Sequence, residues 1–475
     1  MDLVSLEPAA VWRRFAQICA IPHPSGHEEK LARFLAAEAQ KKGLAVRMDE
    51  SCNLRIDRKA SPDRAGSPRI IFQAHLDMVP QAAPGKIFDF SRDPVTPVVE
   101  DGFVRACGIT LGADDGIGVA MAMALLEEPE LDGNFTALFT VSEETGLVGA
   151  AKLAPDFLDG DFLINLDHSE ENKICIGCAG GCRVHLAFDT GDAPVPPGRA
   201  VRIVLAGLPG GHSGVCIHEK RGNALVMLAR LLRAAGGSVA SFDGGTVDNA
   251  IPARAEAVAV LPDPAAAEEA LRAAADLCRK ELDPRFSLEW EISDHPAPER
   301  VWDRAFQERF LAALASVPDG VADFAPEYGV PCTSGNIASL RTEKNLLKLV
   351  FSTRSLDDAE RRKHTDRLIG CFSALSPRVE VTSEYPGWKP AENPRLPETA
   401  ARLRRELTGK ETVIEVIHAG LEAGLFAGKN PRLEMMSCGP DAFDIHTPDE
   451  RLSVASVQEF YPYIRTLARR LMSRK

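Results

Sequence analysis

The 475-residue sequence predicts an α/β fold in which a domain with a largely parallel central sheet is interrupted by an inserted α+β domain. Apolar, strand-like runs alternate with helical segments as far as Asp167, and this alternation is typical of a parallel sheet flanked by helices. The pattern changes near residue 182, beyond which it favours an antiparallel sheet with helices on one face. We therefore expect one domain over residues 1–182 and 386–475, and a second domain over residues 183–385.

Local signals predict the elements of the first domain. Ser25 and Glu28 form a capping-box pattern that predicts the start of a helix, and Gly43 predicts its end. The elements predicted after it are strands over residues 70–74, 136–141 and 162–166 and a helix over residues 116–126. Because folds of this class bind ligands beyond the C-terminal ends of their strands, polar residues at those ends are candidates for a functional site.

The inserted domain is predicted from short apolar runs separated by Pro/Gly-rich loops. Its predicted strands cover residues 183–188, 200–205, 238–242, 255–261, 287–292, 346–351 and 379–383. Its predicted helices cover residues 222–235 and 265–281, a segment ending near residue 315, and residues 357–375. Strands and helices in this order indicate an α+β layer rather than a second parallel sheet.

Composition excludes several classes of function. The net charge of −13, from 68 acidic and 55 basic residues, argues against nucleic acid or an anionic membrane as a partner. The N-terminal segment lacks the pattern of a signal peptide, and no apolar run reaches the roughly 18 residues of a membrane helix. Eleven cysteines, an odd number scattered along the chain, favour a reducing cytoplasm over a disulfide framework.

One cysteine cluster could indicate metal ligation. Cys175, Cys178 and Cys182 lie close together, but no fourth cysteine follows nearby, and the glycines among them suggest a tight turn. We favour buried thiols at this position.

A stronger metal-site pattern is spread over the whole chain. Two imidazoles and three carboxylates follow apolar runs or lie in Gly/Pro-rich loops: His75, Asp114, Glu144, Asp167 and His446. This nitrogen and oxygen ligand set suits zinc, with manganese or cobalt as alternatives. Five protein ligands are too many for one tetrahedral zinc ion. They therefore predict two divalent ions per chain that share a carboxylate and generate hydroxide near neutral pH. The sequence therefore predicts a metallohydrolase.

Each of these residues also has a plainer interpretation. Asp114 could cap a helix, Glu143 and Glu144 could form a solvated turn, and a histidine in a polar loop is usually exposed. Their combination at one sheet edge favours the metal site. Asp77 lies two residues after His75 on an extended segment, so its carboxylate could accept a hydrogen bond from the other imidazole nitrogen. Of the two adjacent glutamates, one could bind metal and the other act as general base.

Nine motifs resemble a known family when taken together. They occur in the order HLD (75–77), GADDGIG (112–118), SEETG (142–146), GCAGG (177–181), GLPGGHSG (207–214), NAIP (249–252), YPGWKP (385–390), IHAGLEAGL (417–425) and HTPDE (446–450). The chain resembles the carnosinase-type branch of the dinuclear zinc exopeptidases over essentially its whole length. The resemblance implies a zinc-exopeptidase-like catalytic domain, and it implies that the inserted domain is a lid.

The resemblance also implies roles for the metal-site residues. Asp114 would bridge two metals. His75 and Asp167 would be the other ligands of one metal, and Glu144 and His446 would be the other ligands of the second metal. Asp77 would support a ligand, and Glu143 would be the general base.

Three residues of the inserted domain would contact substrate by the same resemblance. His212 would polarise the scissile carbonyl and hold the oxyanion, Arg354 would pair with the free carboxylate of the substrate, and Asn249 would help to bind it. From the residues alone, His212 could equally be a loop histidine and Arg354 a surface arginine. Cys216 and Ala423 depart from the family pattern, and both departures bear on substrate choice.

The predicted function is hydrolysis of unblocked dipeptides, including Xaa-His and carnosine-like substrates, by a metal-bridged hydroxide. An acyl-amino-acid deacylase or a carboxypeptidase of the same superfamily is the alternative, and a non-catalytic scaffold is a third. The partner would be a small dipeptide in the cytoplasm, with neither nucleic acid nor membrane involved, and a homodimer is one of the open oligomeric states.

Overall fold

The computed structural model describes residues 3–392 and 395–472, and the chain forms two compact units. The first unit comprises Met1–Cys178, Trp388–Val416 and Leu421–Lys475. The second comprises Ala179–Gly387 together with the short segment Ile417–Gly420, which the sequence pattern did not predict. The predicted α/β class with an insertion is confirmed, whereas the roles of the two parts as catalytic and lid domains stay predictions.

The elements are numbered along the described ranges. The α-helices are α1 (Ala9–Cys19), α2 (Glu29–Lys41), α3 (Ala113–Glu127), α4 (Val148–Lys152), α5 (Ala224–Ala235), α6 (Pro264–Arg279), α7 (Arg304–Ser316), α8 (Asp358–Cys371), α9 (Arg395–Thr408), α10 (Glu422–Lys429) and α11 (Val454–Met472). The strands are β1 (Ala45–Met48), β2 (Leu54–Arg58), β3 (Arg69–His75), β4 (Pro97–Glu100), β5 (Phe103–Ala106), β6 (Asn134–Thr140), β7 (Phe162–Asn165), β8 (Lys173–Cys178), β9 (Gly180–Asp189), β10 (Arg199–Ala206), β11 (Ser238–Gly244), β12 (Ala255–Leu261), β13 (Glu289–Asp294), β14 (Gly320–Ala325), β15 (Val330–Glu343), β16 (Leu346–Ser355), β17 (Arg378–Tyr385), β18 (Val413–Ile417), β19 (Glu434–Ser437), β20 (Ala442–Phe443) and β21 (Arg451–Ser453). None of the described helices combines the length and the apolar composition needed to cross a bilayer.

The first unit is organised around a mixed sheet with the strand order β1-β2-β6-β3-β7-β19-β8-β18. Its central strands β6, β3, β7 and β19 are mutually parallel. Strand β6 is buried at every residue, as expected for parallel strands covered on both faces. The register pairs His75 with Thr140, Gln73 with Asn165, and Asn165 with Ser437. The C-terminal ends of the four strands therefore lie in one row.

The second unit contains the predicted antiparallel sheet. Its strand order is β13-β10-β12-β11-β15-β16-β9-β17, and β14 pairs with β15. Alternate residues of β9, among them Val184, Leu186 and Phe188, are buried in one apolar core with side chains of helices α5 to α8. This alternation is the pattern of a sheet that packs helices against one face.

Two sequence expectations were wrong in detail. Helix α2 begins at Glu29, so Ser25 and Glu28 do not form a capping box, and both bond to distant residues instead. Cys175, Cys178 and Cys182 lie on the strands β8 and β9 rather than beside a tight turn. Their side chains are buried, as expected, and they form no metal-capable group within the described ranges.

Candidate metal centre and active site

The row of strand ends brings the predicted ligands together in the first unit. Strand β3 ends in His75, β7 is followed by Asp167, and the loop after β6 carries Glu144. Asp114 lies in the first turn of α3, and His446 lies between β20 and β21. Parallel strands therefore supply part of the set, and two loops supply the rest.

Asp114 occupies the middle of this cluster, because each of its carboxylate oxygens faces a different histidine. Its Oδ1 is 3.1 Å from Nε2 of His75, and its Oδ2 is 3.0 Å from Nε2 of His446. On the first side, Oδ1 of Asp167 is 3.8 Å from Nε2 of His75. On the second side, Oε1 of Glu144 is 2.7 Å from Nε2 of His446. The five residues thus form two ligand groups that share Asp114, each with its ligand atoms within 4.8 Å of one another.

The charge balance of these groups fits divalent cations. Across residues 3–392 and 395–472, no lysine or arginine pairs with Asp114, Glu144 or Asp167. Burial, reinforced by the charge of Asp114, raises the pKa of Asp167 well above its ordinary value. Burial opposes protonation of His75, but its hydrogen bond to Asp114 and the charge of Asp167 outweigh this and raise its pKa. Among the described residues these carboxylates have no lysine or arginine partner, and bound metal ions would supply positive charge there.

Glu143 lies next to this cluster and forms a third group of potential ligand atoms with His75 and Glu144. Burial, reinforced by the charges of Glu144, Glu422 and Asp114, raises the pKa of Glu143 well above its ordinary value. A buried carboxyl group beside the candidate ligands is placed to exchange a proton with a molecule bound there.

Asp77 links the end of β3 to the loop after β6. Its Oδ1 accepts a hydrogen bond from the backbone N–H of Glu143 at 2.9 Å, and its Oδ2 accepts one from Glu144 N at 3.2 Å. The hydroxyl of Ser25 donates to the same Oδ2 at 2.8 Å. Nδ1 of His75 lies 3.0 Å from the backbone oxygen of Asp77 and 3.5 Å from its Oδ1, so the backbone is the nearer acceptor. Either contact places the imidazole proton on Nδ1 and leaves Nε2 available to a metal.

Two supporting carboxylates were missed by sequence reasoning. Oε1 of Glu28 accepts hydrogen bonds from the N–H and the hydroxyl of Ser142, both at 2.9 Å. Glu450 accepts from four consecutive N–H groups, those of residues 111–114, at 2.7, 3.0, 2.8 and 3.3 Å. Glu450 thereby holds the loop that presents Asp114. The HTPDE motif contains this glutamate, but its partners lie more than three hundred residues earlier.

His212 belongs to the second unit, in a glycine-rich loop after β10. Its Nδ1 accepts hydrogen bonds from the backbone N–H groups of Gly214 and Val215, both at 3.2 Å. Burial and the charge of Arg354 lower the pKa of His212 to about 4, so the ring is neutral at physiological pH. A neutral ring that accepts at Nδ1 carries its proton on Nε2. His212 is therefore a fixed donor at Nε2.

Arg354 and Asn249 also lie in the second unit. Nη1 of Arg354 donates to the hydroxyl of Tyr385 at 2.8 Å, across Gly181 on the strand between them. A Cβ atom at Gly181 would lie 2.6 Å from this hydroxyl, so a glycine is needed for the contact. The backbone oxygen of Asn249 accepts from Ser213 N at 2.8 Å, and its side chain is exposed. Asn249 thus holds the loop of His212 through its backbone.

Known proteins match this chain along its full length. The sequence model of peptidase family M20/M25/M40 matches residues 71–473. The cytosol non-specific dipeptidase of Escherichia coli (strain K12) is 34% identical over 482 residues, covering 99% of each chain. The crystal structure of aminoacylhistidine dipeptidase from Vibrio alginolyticus has a TM-score of 0.89 and 35% identity, covering 100% of this chain and 99% of its own.

A more distant structure shows the fold alone. A tripeptidase from Staphylococcus aureus subsp. aureus Mu50 has a TM-score of 0.63 at 18% identity, covering 99% of this chain and 100% of its own. The predicted resemblance to the zinc exopeptidases is confirmed at the level of the family. With a family match over most of its length and a full-length relative at 34% identity, the chain belongs to peptidase family M20/M25/M40.

Proposed function

We propose that this protein is a metal-dependent dipeptidase that hydrolyses unblocked dipeptides, including Xaa-His and carnosine-like substrates. The observation that carries the proposal is the position of Asp114, whose two carboxylate oxygens face two separate ligand groups. The relatives support the substrate class, because two of them are named as a non-specific dipeptidase and an aminoacylhistidine dipeptidase. The name of the first also supports a cytoplasmic location.

In this proposal the metal centre is held by five side chains. His75 and Asp167 would hold one ion, Glu144 and His446 the other, and Asp114 both. Divalent ions, with zinc as the first expectation, would polarise the scissile carbonyl and acidify water. Glu143 would accept a proton from the attacking water on its carboxylate and pass it to the leaving amine nitrogen.

The second unit would contribute the remaining polar groups. Nε2–H of His212 would donate a hydrogen bond to the carbonyl oxygen of the substrate as negative charge develops there. The guanidinium of Arg354 would pair with the substrate carboxylate, and this pairing would favour substrates with a free C-terminus. Asn249 would keep the loop of His212 in place and help to bind the substrate.

Metal removal should abolish activity. Dialysis against a chelator removes the charge that holds and polarises the substrate, so turnover of a dipeptide should disappear and return on addition of zinc, manganese or cobalt. Metal analysis of the purified protein should give two ions per chain. Full turnover by protein shown to be metal-free would contradict the proposal.

Replacing Arg354 by alanine should mainly raise KM. The substrate carboxylate is bound alike in the ground state and the transition state, so its loss weakens binding with less effect on kcat. The rates for free dipeptides and their C-terminal amides should also move closer together. Arg202, which pairs with Glu256 in the same sheet, provides the matched control, and Arg202→Ala should leave KM unchanged.

A substrate panel separates the proposed activity from its alternative. Dipeptides, N-acyl amino acids and longer peptides should be assayed with each of the three metals. Preferential turnover of dipeptides supports the proposal, whereas faster release of acyl groups or of C-terminal residues from longer peptides would identify a deacylase or a carboxypeptidase.

A further inference from the structure

A chain of buried polar side chains crosses the first unit just below the candidate metal ligands. It consists of one side chain from each of the four central strands and one from helix α10: Ser437, Asn165, Gln73, Thr140 and Glu422. All five are at most 3% exposed. Buried polar groups are costly unless they are hydrogen-bonded, so a continuous row of them in an apolar sheet needs a specific reason.

The hydrogen bonds in this chain all run toward Glu422. Ser437 donates to Asn165, and Nδ2 of Asn165 donates to Oε1 of Gln73 at 2.6 Å. Nε2 of Gln73 then donates to Oε2 of Glu422 at 2.6 Å, and the hydroxyl of Thr140 donates to the same oxygen at 2.8 Å. The chain therefore ends on a carboxylate, which only accepts when it is ionised. Linked hydrogen bonds of this kind reinforce one another in a low-dielectric interior.

The position of the chain connects it to the metal ligands. Gln73 lies two residues before His75 on β3. Asn165 lies on β7, two residues before Asp167. Thr140 is the last residue of β6, and the loop that carries Glu143 and Glu144 follows this strand. The hydrogen-bonded side chains thus join the strand ends that present three of the five ligands.

Fold stability does not explain why a glutamate, Glu422, occupies this buried position. Its second oxygen, Oε1, is buried without a hydrogen-bond partner among the described residues, and burial raises the pKa of this carboxyl to about 7. An apolar side chain would avoid both costs.

We infer that Glu422 is a positioning residue, which ends the hydrogen-bond chain and thereby sets the spacing of the strand ends that hold the metal ligands. This inference rests on the proposed metal centre. Side chains that orient ligands without touching the metal typically contribute 10–100-fold to metal affinity. Glu422 acts on the ligands indirectly, through its hydrogen bonds to Gln73 and Thr140.

The test is cobalt binding to metal-free protein, followed by the visible absorption of Co²⁺. Glu422→Ala removes the acceptor that Gln73 and Thr140 share. It leaves them only longer contacts, 3.1 Å from Nε2 of Gln73 to the Thr140 hydroxyl and 3.4 Å from that hydroxyl to the backbone oxygen of Ala74. The substitution should therefore weaken Co²⁺ binding by roughly 10-fold or more. Glu422→Gln retains an acceptor oxygen and should bind Co²⁺ close to the wild type. If Glu422→Ala fails to fold, Thr140→Val, which removes one donor and keeps the shape, should weaken binding in the same direction.

Asn134 provides the matched control, because it is buried at the opposite end of β6 and donates to the backbone oxygens of Ala65 and Ser67. Asn134→Ala should lower the melting temperature without changing Co²⁺ affinity. Unchanged affinity in folded Glu422→Ala, or in Thr140→Val where Glu422→Ala does not fold, would overturn the inference, as would equal losses in Glu422→Ala and Glu422→Gln. Failure of the wild type to bind Co²⁺ would instead overturn the proposed metal centre, and this inference with it.

Discussion

Replacing Glu143 by glutamine should lower kcat by roughly 10²-fold or more while the metal content stays near that of the wild type. Glutamine keeps the shape of the side chain but cannot accept the proton of the attacking water. The backbone N–H of Glu143 bonds to Asp77 in either case, so the loop after β6 should keep its conformation. Steady-state kinetics and metal analysis on the same preparation measure both quantities.

The neighbouring residue supplies the control for this substitution. Glu144 faces His446 and Asp114 within one ligand group, so Glu144→Gln should lose metal and should lose activity for that reason. Excess metal should restore part of the activity of Glu144→Gln and none of the activity of Glu143→Gln. The opposite result would show that the two glutamates exchange the roles assigned to them.

Replacing His212 by alanine should lower kcat by about 10²–10³-fold, with intact metal content and a smaller change in KM. The expectation follows from the ring's hydrogen bonds, because Nδ1 accepts two backbone N–H groups and Nε2 therefore carries the proton. His212→Gln retains a side-chain N–H donor and should recover part of the loss. His218 is an exposed histidine in the same loop, and His218→Ala should leave kcat unchanged.

The pH dependence gives an independent check on His212. Its pKa lies near 4, so the ring stays neutral throughout the neutral range. The ratio of wild-type to His212→Ala turnover should therefore be level between about pH 6 and pH 8. A ratio that changes as a histidine of ordinary pKa titrates would show that the ring acts as an acid or base rather than as a fixed donor.

Sequence patterns were most informative where a local signal coincides with a general rule of folding. Apolar runs predicted β3 and β7, and the rule that parallel strands align their C-terminal ends predicted that His75 and Asp167 lie together. Strand β15 was missed because Pro331, Gly335 and Asn336 are poor strand formers that resemble a loop. Its neighbours in the antiparallel sheet override these local preferences.

Local sequence patterns could not predict the partners of Glu28 and Glu422, for a different reason. Glu28 has the spacing of a helix cap, but its carboxylate bonds to Ser142 because the fold places that loop beside it. Glu422 lies 349 residues from Gln73, its partner on β3. Such contacts depend on the arrangement of the sheet, and no short window of sequence contains both partners.

The hydrogen bonds between Glu450 and the loop of residues 111–114 have a consequence for biosynthesis. The two partners are separated by 336 to 339 residues, so more than three hundred residues are synthesised after the loop before this carboxylate is available. Until then the loop lacks the acceptor for four of its N–H groups, and the nascent chain cannot give Asp114 its final setting. The segment that carries Glu450 must therefore be synthesised before the loop that presents Asp114 can take its final conformation.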